Sequence, residues 1–427
     1  MNLGVRKCKF SLLLVFLFVF TTAWSQQEEL SIEQCQNEVQ ANFPLIKGKK
    51  MLQESSNLSV ENLKVSYLPQ LYANGKFSYQ SDVSGISLSG MDIPTIPKDQ
   101  YSLNLDVEQL IYDGGKTKNR VDVEKKNSEV AIKDLEIQMY QLRERVDAAF
   151  FGIQLVRKNK LVILDKKKTI SKRLFQIQSA VENGLVLAAN LNVLKAELLL
   201  IDQQIQELDS YEASSFSALS QLMGRRISKD AKLKMTNYSE KETLANGERI
   251  RPEYQFYSSQ KSLLDAQNDL LKKDRYPVIS AFGELGYGNP GYNLYNDGFD
   301  SYYMIGAKLS WNIFDWKSNQ RKQTQISIQK NLVDTKELSF TQNRLIELEK
   351  ESAQINKFRV LLQKDEAIID LQEQISRSSA SQLDNGVITS SDYLDDLNKE
   401  IQAKLNKEYH AIQLQQSFAN YERIKGI

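Results

Sequence analysis

The chain has 427 residues, and its 55 Lys and Arg side chains are balanced by 54 Asp and Glu side chains. A near-neutral mixture of this kind offers no basic surface to nucleic acid, so no nucleic-acid partner is expected. The single histidine, His410, cannot form a His-rich metal site, and neither a metal nor another cofactor is predicted. Cys35 is the only cysteine after the N-terminal segment, which excludes a disulfide within the mature chain.

The first 25 residues predict a secretory signal peptide. Arg6, Lys7 and Lys9 precede the apolar run SLLLVFLFVF, and AWS before Gln26 resembles a cleavage site of small residues. The apolar run is too short to cross a bilayer as an ordinary helix. We therefore expect an exported mature chain with a formal net charge of −2, because the segment removes three basic side chains and no acidic ones.

The two halves of the chain repeat one another. Pro44 and Pro252 are 208 residues apart, as are Pro69 and Pro277. Further on the offset falls to 202 residues, where LIYDGGK aligns with NIFDWKS and ENGLV aligns with DNGVI. Each copy predicts a helix, a strand, a loop, a strand, a very long helix, an Asn-Gly turn and a helix. The predicted boundaries are residues 1–25 for the signal peptide, 26–225 for the first repeat, 226–248 for a polar linker and 249–427 for the second repeat.

Four segments of about ten residues alternate apolar and polar side chains, which predicts strands with one apolar and one polar face. YSLNLDVE, residues 101–108, belongs to the second of them, and YYMIGAKLSWNIF, residues 302–314, is the last. Alternation alone fits either a soluble sheet with one buried face or outer-membrane strands with one face toward lipid. The positions that would face lipid are Leu103, Leu105, Val107, Ile305, Leu309 and Trp311.

Export and strand number favour the membrane interpretation. Four strands are too few to close a membrane barrel, which takes about eight or more. Because an open sheet edge is not tolerated in lipid, several chains would have to pool their strands. The alternative from another class is a periplasmic coiled-coil structural or adaptor protein whose strands form a soluble sheet.

Long stretches without helix breakers follow the strands. Residues 116–183 contain one glycine and no proline, while residues 185–223 and 387–425 contain neither. Their abundant Lys, Glu, Gln, Leu and Ala favour helix, and their apolar residues recur every three or four positions as in coiled coils. A helix over residues 116–182 would be about 100 Å long at 1.5 Å per residue. This length predicts a rod or a tube rather than a compact domain.

Several short motifs, in their order and duplication, resemble the TolC family of outer-membrane efflux factors over essentially the whole mature chain. The segments that carry the resemblance are LSIEQC, ANFP, SYLPQL, LIYDGGKTKNR, VENGLV, ALSQLMGR, RPEY, RYPVIS, NIFDWKSNQR and DNGVITSSDYLDDLNKE. The resemblance implies a mixed α/β membrane protein, mainly α. Three chains would form a 12-stranded outer-membrane β-barrel, with four strands per chain, continued by a long periplasmic α-helical barrel. The predicted linker would lie in an equatorial band.

The same resemblance implies a function and partners. The chain would be a homotrimeric exit duct in the cell outer membrane, with a large periplasmic portion. It would dock to a periplasmic adaptor (membrane fusion) protein and an inner-membrane pump or ABC exporter, in a tripartite efflux or type I secretion system. We predict no enzyme and no catalytic residue, because the carboxylates lie at helical surface spacing among Lys and Arg. No GxxxxGK[ST] phosphate loop is present, so the energy would come from the partners.

Asn183–Gly184 and Asn385–Gly386 are predicted to form the tips of the two helical hairpins. Asn and Gly tolerate a positive φ, so they can end one helix and turn the chain into the next. In the TolC family these tips lie at the periplasmic entrance. The resemblance therefore implies that the adaptor docks on them.

SSDYLDDL begins the helix after the second tip. The TolC family carries acidic residues at the narrowest point of the tube, and Asp392 and Asp395 stand at the matching positions. They are three residues apart, hence on one helix face, and three-fold symmetry would turn each into a ring that favours cations. Alternatively, Asp392 is only a first-turn acid stabilised by the helix dipole. The first copy has Asn190 and Val193 at these positions, so one hairpin alone would charge the constriction.

Overall fold

The computed structural model describes residues 28–83, 96–234, 251–293 and 298–426. The predicted signal peptide and most of the predicted linker lie outside these ranges, and the predicted boundaries stay predictions. The described chain is mainly helical. Its helices are α1 (Ile32–Asn42), α2 (Ile46–Val65), α3 (Lys116–Glu182), α4 (Ala188–Met223), α5 (Pro252–Lys273), α6 (Ser318–Asp384) and α7 (Ser390–Lys425). Its strands are β1 (Glu29–Leu30), β2 (Gln70–Tyr79), β3 (Asp99–Tyr112), β4 (Lys232–Leu233), β5 (Val278–Asn289) and β6 (Asp300–Ser310).

Four strands form one antiparallel sheet in the order β2-β3-β5-β6. Leu105 of β3 lies opposite both Ala73 of β2 and Leu285 of β5, and Leu285 lies opposite Tyr303 of β6. Since successive side chains point to opposite faces, this register places the apolar positions of all four strands on one face. The predicted two-faced strands are confirmed. β1 and β4 form a separate short parallel pair.

The last strand is shorter than its alternation predicted. β6 ends at Ser310, which lies opposite Val278, the first residue of β5. The Trp311 indole instead donates a hydrogen bond to the carbonyl oxygen of Arg275, 3.0 Å away. The assignment of Trp311 to the strand was wrong, because β5 begins at Val278 and offers no earlier residue for Trp311 to pair with.

Both long helices contain 67 residues, a length of about 100 Å at 1.5 Å per residue. The predicted rods are confirmed. They begin in the same way: Asp113 accepts a hydrogen bond from the backbone N–H of Thr117 at 2.6 Å, and Asp315 accepts one from that of Asn319 at 2.8 Å. The N–H groups of a first helical turn have no acceptor within the helix. Satisfying them is the physical reason why an aspartate recurs at this point of both copies.

The turn before each long helix places two residues at positive φ. In the first copy these are Gly114 (φ 68°) and Gly115 (φ 84°), and in the second they are Trp316 (φ 53°) and Lys317 (φ 59°). Glycine adopts this conformation freely, whereas a residue with a side chain loses roughly 1–2 kcal/mol. The second copy therefore holds Trp316 in an unfavourable backbone conformation. Its ring is 77% exposed and packs edge-on against Phe314.

The hydrophobic core lies along the helices. One cluster joins α1, the middle of α3 and the end of α4, and it includes Cys35 and Phe150. A second cluster, near the hairpin tips, joins α3, α4 and α7 and includes Ile170 and Tyr393. Burial raises the pKa of the Cys35 thiol to about 12, so this cysteine is an unreactive packing residue. Among the described helices, none combines the length and apolarity needed to span a membrane.

Asp147 is a buried acid on α3, next to Val146 of the first hydrophobic cluster. Its side chain is 2% exposed, and Gln36 donates a hydrogen bond to its Oδ1 at 2.6 Å, while its Oδ2 has no partner among the described residues. Burial raises the pKa of this carboxyl to about 6, although Gln36 and nearby Arg423 oppose the shift. A raised pKa means that the folded state favours the protonated acid. Stability therefore falls as the pH rises through about 6.

We expect Asp147→Asn to stabilise the protein at pH 8, by roughly 2–3 kcal/mol from the size of the pKa shift. The amide is neutral at every pH and can still accept the Gln36 hydrogen bond. At pH 4.5 the folded acid is mostly protonated while the unfolded acid is mostly ionised, so the gain should shrink to roughly a third of its value at pH 8. Thermal unfolding followed by circular dichroism at both pH values is the measurement.

Asp165→Asn is the matched control, because Asp165 is an exposed carboxylate on the same helix. It should change the unfolding temperature little at either pH. An equal gain from Asp147→Asn at pH 4.5 and pH 8 would contradict the assigned pKa.

Candidate functional site

The apolar face of the sheet is exposed to its surroundings. Ile305 and Leu309 of β6 are 81% and 64% exposed, and Leu103 of β3 is 62% exposed. Leu105 and Val107 belong to the same face and are also exposed. Soluble monomers rarely leave so continuous an apolar patch uncovered. The structure thus brings five of the six predicted lipid-facing residues onto one surface, and Trp311 lies just beyond its edge.

The opposite face of the sheet carries a polar network. Asn74 of β2 donates to Asp106 of β3 at 2.6 Å, and Asn104 of β3 donates to Glu284 of β5 at 2.9 Å. The Tyr302 hydroxyl of β6 lies 3.2 Å from Asn104 Oδ1 and 3.1 Å from Glu284 Oε1. These hydrogen bonds form two groups on one face, one joining β2 to β3 and the other joining β3, β5 and β6.

A glycine makes room for this network. A Cβ atom at Gly286 would lie 2.2 Å from the Tyr302 ring, so only glycine lets that ring cross β5. The network was not predicted from the sequence. The alternation showed the polar face, but the cross-strand pairing that joins its side chains depends on register, which one sequence does not display.

The two hairpin tips have nearly identical backbone geometry. Gly184 and Gly386 have φ values of 72° and 71°, and each follows an asparagine that ends a long helix. The Asn183 side-chain amide donates to the Ser179 carbonyl oxygen at 2.9 Å, and the Asn385 side-chain amide donates to the Ser381 carbonyl oxygen at 2.8 Å. The predicted turns are confirmed as turns. A Cβ atom at either glycine would have no neighbour within 4 Å. Glycine is therefore favoured here by the positive φ and not by a lack of space.

Asp392 is engaged in a capping box at the start of α7. The Thr389 backbone N–H donates to Asp392 Oδ2 at 2.9 Å, and the Asp392 backbone N–H donates to Thr389 Oγ1 at 3.3 Å. Hydrogen bonds from the Thr389 hydroxyl and backbone hold the pKa of the Asp392 carboxyl below its usual value. Asp392 is therefore a first-turn acid at the helix start, as the alternative interpretation of the sequence predicted. The carboxylate is nevertheless exposed to solvent.

Asp395 is exposed one helical turn further along the same face, whereas Asp396 is occupied. The Ser379 hydroxyl donates to Asp396 Oδ2 at 2.5 Å, and Lys399 lies 3.1 Å from its Oδ1. These contacts lower the pKa of the Asp396 carboxyl, with the Ser379 hydrogen bond first in effect. Among the three acids at the start of this helix, Asp392 and Asp395 are therefore the two with exposed side chains.

The two hairpins contact each other near these acids. Arg173 of α3 forms an ion pair with Asp384 at the end of α6, and its guanidinium lies 5.4 Å from the centre of the buried Tyr393 ring. Asn190 Oδ1 accepts a hydrogen bond from the Ser390 backbone N–H at 2.9 Å. No sequence signal could have found these pairs, because their members are about two hundred residues apart. They hold the start of α7 against the first hairpin.

The fold is that of solved outer-membrane channels. The Campylobacter jejuni CmeC channel matches with a TM-score of 0.66 and 14% identity, over 100% of this chain and 94% of that one. VceC from Vibrio cholerae matches with a TM-score of 0.64 and 14% identity, over 92% and 94% of the two chains. The open state of Neisseria gonorrhoeae MtrE matches with a TM-score of 0.63 and 14% identity, over 92% and 88%.

Residues 36–225 match the model of the outer membrane efflux protein family. A search of curated protein sequences finds no match to this chain. The resemblance to the TolC family of outer-membrane efflux factors is thereby confirmed. Family and fold together support an outer-membrane exit duct for efflux systems, a class of transport proteins rather than enzymes.

Proposed function

We propose that three copies of this chain form a passive exit duct across the outer membrane. Each copy would contribute its four strands to a 12-stranded barrel and its two hairpins to a helical tube in the periplasm. One observation carries the proposal: an exposed apolar face on a sheet whose edge strands, β2 and β6, are paired on one side only. Joining β6 of one copy to β2 of the next satisfies both edges and directs the apolar face to lipid. The polar network then lines the lumen.

The helices support the same assembly. α6 leaves a series of apolar side chains exposed along most of its length, although its neighbours in the chain bury other positions of the same helix. The exposed residues that share one face of the helix include Ile328, Leu332, Ile346, Ile368, Leu371 and Ile375. A second copy is the occupant that the unpaired sheet edges already require, and it would cover this stripe.

The periplasmic adaptor with a soluble sheet is the weaker candidate. Such a protein would have to bury the apolar face of the sheet to stay in solution. The described helices pack along one another and leave that face exposed.

The hairpin tips are the proposed docking site for a periplasmic adaptor. Around Asn183–Gly184 and Asn385–Gly386 the tips expose Leu185, Leu187 and Val387, each more than two-thirds accessible. Exposed apolar side chains beside a rigid turn suit a partner that packs on the end of the tube. That adaptor would link the duct to an inner-membrane pump or ABC exporter, which would supply the energy.

Asp392 and Asp395 are the proposed electrostatic throat. Two outward carboxylates per copy make six around one opening in a trimer. Six like charges repel one another, so the opening should attract cations. The capping box fixes where Asp392 stands, and the contacts to the first hairpin fix the helix that carries both acids.

The first test concerns the number of chains. Detergent-extracted mature protein should migrate as three chains of 48.9 kDa less their signal peptides, about 140 kDa in all. Light scattering combined with size-exclusion chromatography gives the mass free of the detergent contribution. A monodisperse monomer that stays in solution without detergent would refute the duct and favour the periplasmic alternative.

The second test compares the two faces of β6. Ile305→Lys would place a charge toward lipid near the middle of the strand and should cost roughly 2–4 kcal/mol of folding free energy. Ser310→Lys puts the same charge on the opposite face, where Lys308 already stands, and should be tolerated. The yield of folded protein in the outer-membrane fraction reports the difference. Equal losses from the two variants would count against the membrane assignment.

The third test addresses the throat. Asp392→Asn with Asp395→Asn should lower cation preference and weaken block by a divalent cation added on the periplasmic side of a planar bilayer. Asparagine keeps an acceptor for the Thr389 capping hydrogen bonds, so assembly should be preserved. Asp396→Asn is the control, because Ser379 and Lys399 already engage that carboxylate. Wild-type selectivity in the double variant would leave these aspartates as helix-start acids only.

A further inference from the structure

A cavity of about 1030 Å³ lies where the sheet meets the helices. Its walls come from the first turns of α3, the last turn of α5 and the short connection from α5 to β5. Gly114 allows these walls to approach, because a Cβ atom there would lie 2.3 Å from Tyr276 Cβ. The cavity is therefore built by the junction itself.

The charged residues that line the cavity are mainly cations. Lys118 and Lys125 enter from α3, and Arg275 enters from the connection before β5. Within the described ranges, none of these three side chains has a carboxylate partner. Lys272 is paired with Asp269 at 2.7 Å, and the remaining acid of the lining, Asp122, does not offset the excess of positive charge. Unpaired cations gathered around one space favour an anion there.

The position of the cavity indicates where that anion comes from. Ile279, on the apolar face of the sheet, is three residues past Tyr276 of the cavity wall, a distance of about 10 Å along an extended chain. Arg275 also borders a second cavity of about 520 Å³, with Trp311 and Phe314 in its lining. Exposed aromatic rings next to basic side chains are typical of a membrane–water interface. A lipid with its acyl chains on the apolar face would bring its headgroup to this level.

We propose that the junction cavity binds the phosphate group of an anionic phospholipid in the periplasmic leaflet. Lys118, Lys125 and Arg275 supply the charge-assisted hydrogen bonds to its oxygens. The inference goes beyond the exit duct but rests on the proposed membrane position of the sheet. It adds a preference for anionic over zwitterionic phospholipid to the proposed position in the bilayer.

Tryptophan fluorescence tests the proposal, because Trp311 and Trp316 are the only tryptophans after residue 25 and both lie at this junction. The mature protein is reconstituted in phosphatidylcholine vesicles that contain a small fraction of spin-labelled phosphatidylglycerol or, separately, spin-labelled phosphatidylcholine. The anionic quencher should be several-fold more effective than the zwitterionic one. Lys118→Gln, Lys125→Gln and Arg275→Gln together should lower its relative affinity by roughly tenfold or more.

Two further proteins keep the comparison specific. Lys118→Gln with Lys125→Gln leaves Arg275 and its contact to Trp311 intact, and it should still lose most of the preference. Lys168→Gln, Lys172→Gln and Lys364→Gln remove three exposed cations from the helices far from the sheet and should keep the wild-type preference. Loss of the preference in this control would show general charge attraction and overturn the site.

The remaining outcomes separate this site from the duct. Equal quenching by both lipids in the wild type would overturn the headgroup site and leave the membrane position of the sheet intact. Quenching by neither would mean that the sheet is outside the bilayer, and the proposed function would fail with the site. If inorganic phosphate raises the unfolding temperature in detergent while phosphatidylglycerol shows no excess quenching, the cavity takes a soluble anion and the lipid assignment is wrong.

Discussion

A strand at the edge of a sheet presents backbone N–H and C=O groups that need partners, and in lipid only another strand can provide them. This constraint governs the rest of the molecule. A four-stranded sheet with an apolar face cannot be complete as one chain in a membrane, and it cannot stay uncovered in water. In the proposed assembly further copies complete the sheet, and the exposed stripe on α6 is covered by one of them.

The chain reaches this arrangement by using one plan twice. Each copy runs from a short helix through two strands into a helix of 67 residues and back through a second helix. The copies agree at Asp113 and Asp315 and at Gly184 and Gly386, which begin and end the long-helix segment. They differ where the side chains have different surroundings, as at Asn190, which contacts the other hairpin, and Asp392, which is exposed. Backbone requirements preserve the repeat, and its surfaces are free to take separate roles.

Much of the fold could be predicted from the sequence, because it depends on periodicity and on residues with restricted backbone geometry. Alternation located the strands, breaker-free stretches located the helices, and Asn-Gly located both turns. The end of β6 could not be predicted, because the alternating pattern continues through Trp311, beyond the last residue that has a partner in β5. Contacts such as Arg173 with Asp384 and Asn104 with Glu284 depend on how distant segments meet. Local patterns carry no record of that.

The hydrogen bond from the Ser390 backbone to Asn190 has a consequence for motion. The first residue of α7 has its N–H satisfied by the other hairpin rather than by its own helix. Any movement that parts the hairpins at the tips removes this acceptor, while the capping box between Thr389 and Asp392 in the same turn stays intact. Water can replace the lost partner only after the gap is wide enough to admit it. The free energy therefore rises most steeply at the start of such a movement. This favours two distinct positions of the tip over a continuous range.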